Sequence, residues 1–336
     1  MKVLIVGGTG LISTGIVEHL LTRGAHVTLF NRKQRANAGG AAAELPTIVG
    51  DRNLPAEFEQ RLARERFDVV IDMICFSPAQ AEATVRAFAG RTEQLVFCST
   101  VCSYGIDIPS HVLVDETFPL RPTSEYARNK VTCEQTLERA AAAGKFRTTI
   151  VRPSCTYGPG ASLIDQMEFD SVVWDRVEQG LPVLCAGDGI GLWQATHRHD
   201  VGRFFAHAAG NPKTYAQAFN ATRDRVFTWR DYYREAAQAL GTQAQLVMVP
   251  AGWVARQNAK RFSFLEEITR YHGAYSSAKA KATLPEFRCQ IDFVDGARET
   301  FADMKKRGAW RRHQDDAEYS ALVSRALELG FEKLTA

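Results

Sequence analysis

The chain has 336 residues, 45% hydrophobic and 24% charged, with 41 Lys and Arg against 38 Asp and Glu and a formal net charge of +3. That length allows one large core or two smaller ones, and so small a charge gives no reason to expect a nucleic-acid partner. Seven cysteines without a C-x-x-C pair argue against a disulfide scaffold or a zinc ribbon and fit a reducing cytoplasm.

Residues 2–6 form a β-branched run that ends at Gly7-Gly8-Thr9-Gly10. It is too short for a signal peptide, and no later apolar run nears the ~18–20 residues that span a bilayer. Apolar residues at helical spacing over 11–23 predict a helix, closed by Gly24. Strands are expected at 26–30, 47–49, 68–73, 94–98 and 147–151, with helices from Ala56, from Pro78 and over 124–143. Such alternation predicts a doubly wound parallel α/β sheet of Rossmann type. After Pro153 it loosens. Helices are expected at 165–179, 201–209 and 228–240 and a strand at 246–249, the whole reading as a smaller α/β lobe. The expected division is a dinucleotide-binding domain over 1–155, with a return segment near 196–222, and a substrate-binding lobe over 156–336. The basic run 305–313 reads as a solvated helical face.

The Gly7–Gly10 turn stands between strand and helix, where a backbone must approach a pyrophosphate and free N–H groups face the anion. A tight turn without a ligand is the plainer alternative. Ser13 occupies the place of a third glycine and is small enough to serve there. At the end of the second strand, an Asp would hold ribose hydroxyls and repel a 2′-phosphate. Asn31 and Arg32 stand there instead, with Lys33 and Arg35 close by, which favours NADP over NAD. Asp51 in G-D-R is placed to accept from an adenine amino group, or simply closes a turn.

Tyr126 and Lys130, four residues apart in E-Y-A-R-N-K, share one helix face. An ammonium there favours ionisation of a phenol whose ordinary pKa is about 10, fitting it for proton exchange with an alcohol or ketone.

Together these segments resemble the extended short-chain dehydrogenase/reductases, the NAD-dependent epimerase/dehydratase family. The resemblance is carried by G-G-T-G-L-I-S at 7–13, G-D at 50–51, D-V-V-I-D-M at 68–73, L-V-F-C-S-T-V-C-S-Y-G at 95–105, Y-x-x-x-K at 126–130 and V-R-P-S-C-T-Y-G-P-G at 151–160. It implies an NAD(P)-dependent epimerase or oxidoreductase of a sugar or polyol, homodimeric, with Tyr126, Lys130 and Thr100 catalytic. It also implies cofactor contacts from Gly7, Thr9, Gly10, Leu11 and Ile12, and from Asn31, Arg32, Asp51 and Arg52. Further along, Met73, Ser99 and Pro153 would contact the cofactor together with Tyr126 and Lys130.

Two departures narrow the chemistry. Val101-Cys102 replaces the Asp-Glu that follows the catalytic Thr in the family's 4,6-dehydratases, which argues against sugar dehydration. Trp193-Gln194 stands where nucleotide-sugar members carry an Arg for the diphosphate, a loss that Arg198 or Arg203 would have to make good. Cys102 matches the acid/base cysteine of the family's 3,5-epimerases, provided that nearby positive charge lowers its thiol pKa; a small packing residue is the alternative. Trp193, Tyr157, Phe76 and Met73 are candidates for a substrate pocket or for ordinary core. His197 and His199 lack a third ligand at suitable spacing, so no metal is expected, and Asp200 reads as the N-cap of the helix 201–209. Other readings of the whole are an NADPH-dependent reductase of a non-sugar carbonyl compound and a non-catalytic cofactor-sensing or RNA-associated relative.

Overall fold

The computed structural model describes residues 1–32, 41–169 and 172–336. Lys33 and Arg35 lie outside the described residues. In chain order the first half forms β1 (Lys2–Val6), α1 (Leu11–Thr22), β2 (His26–Asn31), β3 (Thr47–Val49), α2 (Pro55–Leu62), β4 (Val69–Asp72), α3 (Pro78–Phe88), β5 (Gln94–Cys98), α4 (Glu125–Ala142) and β6 (Arg147–Pro153). There follow β7 (Cys155–Tyr157), α5 (Val173–Glu178), β8 (Val183–Ala186), β9 (Leu192–Trp193), β10 (Ala195–His197), α6 (Arg198–Ala208), β11 (Gln217–Ala221) and β12 (Phe227–Thr228). The chain ends with α7 (Trp229–Ala239), β13 (Gln245–Val249), α8 (Ala251–Gln257), α9 (Ala278–Thr283), α10 (Phe293–Lys306), α11 (Ala317–Glu328) and β14 (Lys333–Thr335).

Seven strands pair in the order β3-β2-β1-β4-β5-β6-β11, all parallel. Because both faces are covered by helices, the inner strands are buried throughout rather than alternating: β4 and β5 are buried at every residue, Asp72 and Gln94 included. The chain reverses direction across the sheet between β1 and β4, so the Gly7–Gly10 turn opens into a crevice at the strands' carboxyl ends. One core lies on the α1 and α6 face, built on Val3, Ile5, Ile16 and Phe204, and another on the α2–α4 face around Phe58, Phe88 and Leu137. A third, around Trp174, Trp229, Tyr232 and Phe293, fills the C-terminal half beside the β14-β13-β8 sheet. Residues 274–289 come back to the first sheet, where Ala280, Leu284 and Phe287 close the face formed by Phe204 and Phe219.

Several local expectations are corrected. The expected helix over 165–179 reduces to α5, because Asp165 Oδ1 accepts from the amides of Met167 (2.5 Å) and Glu168 (3.1 Å) and holds a turn. Asp200 does not cap α6. His197 does, its Nδ1 accepting from His199 N at 3.3 Å, while the Asp200 carboxylate takes the amides of Gln290 and Ile291 at 2.9 and 3.2 Å. Of the basic run 305–313, Lys305 and Lys306 end α10; beyond it Trp310 Nε1 and His313 N donate to Asp175 at 2.9 and 2.8 Å. All seven cysteines are free thiols.

Candidate active site

At the dinucleotide end, Gly7 holds φ +85°, and a Cβ there would stand 2.6 Å from Ile74. A Cβ on Gly8 would meet the end of the Leu29 side chain at 2.4 Å and force it to shift. Ser13 is more than a small residue: its hydroxyl donates to the Gly7 carbonyl at 2.7 Å and pins the turn to α1. The close approach falls on Gly15, whose Cβ would lie 2.7 Å from Arg198 O, and on Gly202 opposite, whose Cβ would lie 2.5 Å from Gly15 C. The start of α1 has no capping side chain and no acidic residue, leaving its N–H groups free for an anion, with Thr9, Gly10, Leu11 and Ile12 around it.

A cavity of about 210 Å³ lies at the ends of β2 and β3, bounded by Asn31, Arg32, Asp51, Arg52, Ile74 and Phe76. Arg32 is exposed on its rim. Asp51 Oδ1 caps the local turn by accepting from Asn53 N at 2.8 Å. Arg52 borders the cavity, and its Nε and Nη1 have no hydrogen-bond partner among the described residues. Its Nη2 turns inward onto Asp72 (3.1 Å), the Gln80 carbonyl (2.7 Å) and the Thr84 hydroxyl (2.6 Å), giving the fully buried Asp72 a counter-charge. Free amides at a helix start, glycine-only backbone and this cavity fit a bound dinucleotide.

The proton-transfer candidates stand beside it. Thr100 lies two residues beyond β5 and caps the turn at Val101–Tyr104, its Oγ1 accepting from Cys102 N at 3.2 Å, and Ser99 before it donates to Glu134. Tyr126 opens α4 and is 44% exposed, so its ring faces open space rather than the core. Lys130, one turn on, is buried, and its Nζ donates to the Cys98 carbonyl at 2.7 Å. That ammonium lies 4.5 Å from the centroid of Phe76, 4.9 Å from Phe97 and 5.9 Å from Tyr126. The expected effect of the ammonium on the phenol is not what governs it here. Burial of the hydroxyl end pushes the Tyr126 phenol up, with the Cys98 and Cys102 thiols adding to it and the Thr100 hydroxyl opposing. For Cys102 too, burial is the largest cause and pushes its thiol up, and Thr100 opposes.

Two charges that the sequence reading passed over hold this platform. Glu134, on α4, receives Arg152 Nε at 3.0 Å and Nη2 at 2.6 Å; Arg152 Nη1 donates to Tyr104 Oη at 3.0 Å, which donates to Asn220 Oδ1 at 2.8 Å. The loop carrying Thr100 and Cys102 is thereby tied to α4, β6 and β11. The signal in the sequence was slight: a second charge, Arg152, directly after the apolar pair Ile150-Val151.

A cavity of about 840 Å³ opens in front of Thr100, Cys102 and Tyr126. Trp193, Phe264 and Tyr275 form its opposite wall. Arg261 also reaches it, engaged by Glu168 (2.7 Å), Asp316 (2.6 Å) and Glu318 (3.0 Å). Residues 258–275, including a five-residue π-helical turn at Leu265–Thr269, supply this wall. Neither Arg198 nor Arg203 lines it; they reach Thr14 and Gln290, each at 2.5 Å. Tyr157 is core, packed on His197 and Phe293, and Met73 is buried under the first sheet. Pro153 is buried at the end of β6. Among the described residues, no three His, Cys, Asp or Glu side chains converge on a metal site, and no helix is long and apolar enough to cross a membrane.

A model of the NAD dependent epimerase/dehydratase family matches residues 3–221, more than half of the chain. The 2'-dehydrokanamycin reductase of Streptomyces kanamyceticus is 29% identical over 292 residues, 86% of this chain and 80% of that one. The chloroplast stem-loop binding protein of 41 kDa b of Arabidopsis thaliana is 26% identical over 347 residues, 98% of this chain and 85% of that one. In three dimensions, the UDP-glucose 4-epimerase of Thermus thermophilus, solved with NAD, has a TM-score of 0.69 at 22% identity, over 91% of this chain and 99% of that one. At that identity the likeness is one of fold.

Proposed function

The chain belongs to the NAD dependent epimerase/dehydratase family, and from that premise we propose that it is an NADP(H)-dependent oxidoreductase acting on a hydroxyl or ketone of a sugar-like substrate. The observation that carries this reading is the placement of Tyr126 and Thr100 together on the wall of the large cavity, with buried Lys130 one turn behind. When bound, the dinucleotide supplies or accepts the hydride. The protein's own residues handle the rest. Thr100 Oγ1 and Tyr126 Oη hold the substrate oxygen, and a proton passes between that oxygen and Tyr126 Oη. A phenol of ordinary pKa about 10 is protonated at neutral pH, and burial pushes this one further up, which suits donation to the oxygen formed when a ketone is reduced. Lys130 holds the last carbonyl of β5, that of Cys98. The exposed guanidinium of Arg32, beside Asn31 rather than an Asp, supports a 2′-phosphate on the cofactor.

Tyr126→Phe is the test. Turnover of NADPH with a keto-sugar panel is expected to fall by about 10²-fold or more, with NADPH binding retained; an equally fast Phe variant overturns the reading. Epimerisation is the second reading, supported by Cys102 on the same wall. It would yield product without net NADPH loss and, if a carbanion forms, take up solvent deuterium. The likeness to a stem-loop binding protein over 98% of the chain supports a third, an RNA-associated relative in which no substrate turns over.

A further inference from the structure

Building on the oxidoreductase reading, we infer that the cavity takes a substrate bearing a protonated amine and no phosphate, with Glu267 as the side chain that selects it. The charges of the wall carry the argument. Where side chains meet a diphosphate, they do so with guanidinium or ammonium groups whose donors are free. Among the described residues that line the cavity, Arg261 is the one cation, and Glu168, Asp316 and Glu318 already surround it. At the adjoining mouth Arg128 turns its guanidinium onto the Thr123 carbonyl, and Glu125, Glu266 and Glu267 outnumber it.

The acidic groups are not all engaged. Glu168 is held by Arg261 and Glu266 by Arg270. Glu267 has no hydrogen-bond or ion-pair partner among the described residues, is exposed, and borders both the main cavity and its mouth. Independently of charge, the wall presents aromatic faces: Tyr126 is 44% and Phe169 60% exposed, with Phe264 4.0 Å from Phe169 between ring centroids and Trp193 beyond. Aromatic faces attract a cation and stack on sugar rings; they offer nothing to a phosphate. A free carboxylate among such faces, in about 840 Å³ of space, fits an aminated oligosaccharide or aminocyclitol glycoside.

Binding to the NADPH-loaded protein, followed by calorimetry, separates the outcomes. Three probes are used: kanamycin, its fully N-acetylated form and UDP-glucose. Kanamycin is expected to bind about tenfold or more tightly than the neutral form, an advantage that shrinks with added salt. Glu267→Gln removes that advantage and leaves NADPH affinity unchanged. Equal binding of the N-acetylated form, tightest binding of UDP-glucose, or binding of none of the three overturns the proposal. Should Tyr126→Phe turn over normally while the amine preference holds, the reaction reading fails and the substrate class stands; a dead Phe variant without amine preference gives the reverse.

Discussion

Glu134 and Arg152 are 2% and 5% exposed in their side chains, a buried ion pair directly beneath the loop that carries Thr100. A pair of this kind stabilises little relative to a well-packed apolar substitute, but removing one partner strands the other charge at a cost of about 3–5 kcal/mol. Glu134→Gln is therefore expected to lower urea stability by roughly that amount. It should also slow turnover, because Ser99 and the Thr100 loop lose their anchor. Unchanged denaturation midpoints would show that water reaches the pair. Neither residue was legible as a site residue in the sequence, since their meeting joins α4 to β6 across 18 positions. Tyr126 and Lys130 were legible because their relation is one helical turn. What sets the phenol was not, for it depends on burial and on the Cys98 and Cys102 thiols of a different element.

Helices α1 and α6 meet backbone to backbone at Gly15 and Gly202, and this contact fixes where the anion-binding end of α1 points. A methyl on Gly202 would sit 2.5 Å from the backbone of Gly15, which cannot yield as a flexible side chain would. Gly202→Ala should cost about 1–3 kcal/mol and weaken NADPH binding, measured by denaturation and by fluorescence titration. The same seam contains His19, whose ring lies 4.2 Å from that of His199 and whose Nε2 is 3.1 Å from the His199 carbonyl. Burial, with His199, Arg203 and His207 adding to it, holds His19 down to about 4. Burial likewise holds His197 down to about 4; the Glu299 carboxylate 2.5 Å from its Nε2 does not reverse this, since burial pushes Glu299 itself up. Both imidazoles fold neutral while the unfolded chain binds their protons near pH 6.5, so their stabilisation is complete above that value and is lost as pH falls toward 4. Tm should drop by several degrees on going from about pH 7 to about pH 5; a flat profile would contradict the burial argument. Strands and helices of the first sheet were readable because their periodicities are local. The role of Asp200 was not, because its partners at 290 and 291 lie 90 and 91 positions away.

At the scale of the whole molecule, the crevice joins a dinucleotide end to an aromatic, acid-edged cavity. A ligand that binds the folded state alone raises its stability, by about 2.7 kcal/mol at a hundredfold excess over Kd. NADPH should therefore raise Tm more than NADH at equal concentration, and Arg32→Ala should erase the difference; equal shifts in the unaltered protein would show that the rim guanidinium does not read the 2′-phosphate. The parallel sheet was foreseen from alternation of strand and helix. The wall at 258–275 was not, because a π-helical turn has neither periodicity that sequence reading looks for.

The return of residues 274–289 to the first sheet sets an order on biosynthesis. Phe204 and Phe219 are covered by Phe287 and its neighbours, which leave the ribosome tens of residues after the strands they shield. Until they emerge, the growing polypeptide shows an uncovered aromatic surface to the cell. A nascent product arrested between about residues 225 and 285 would be a natural client for holding chaperones, whereas one released past Cys289 would have the means to close that surface itself.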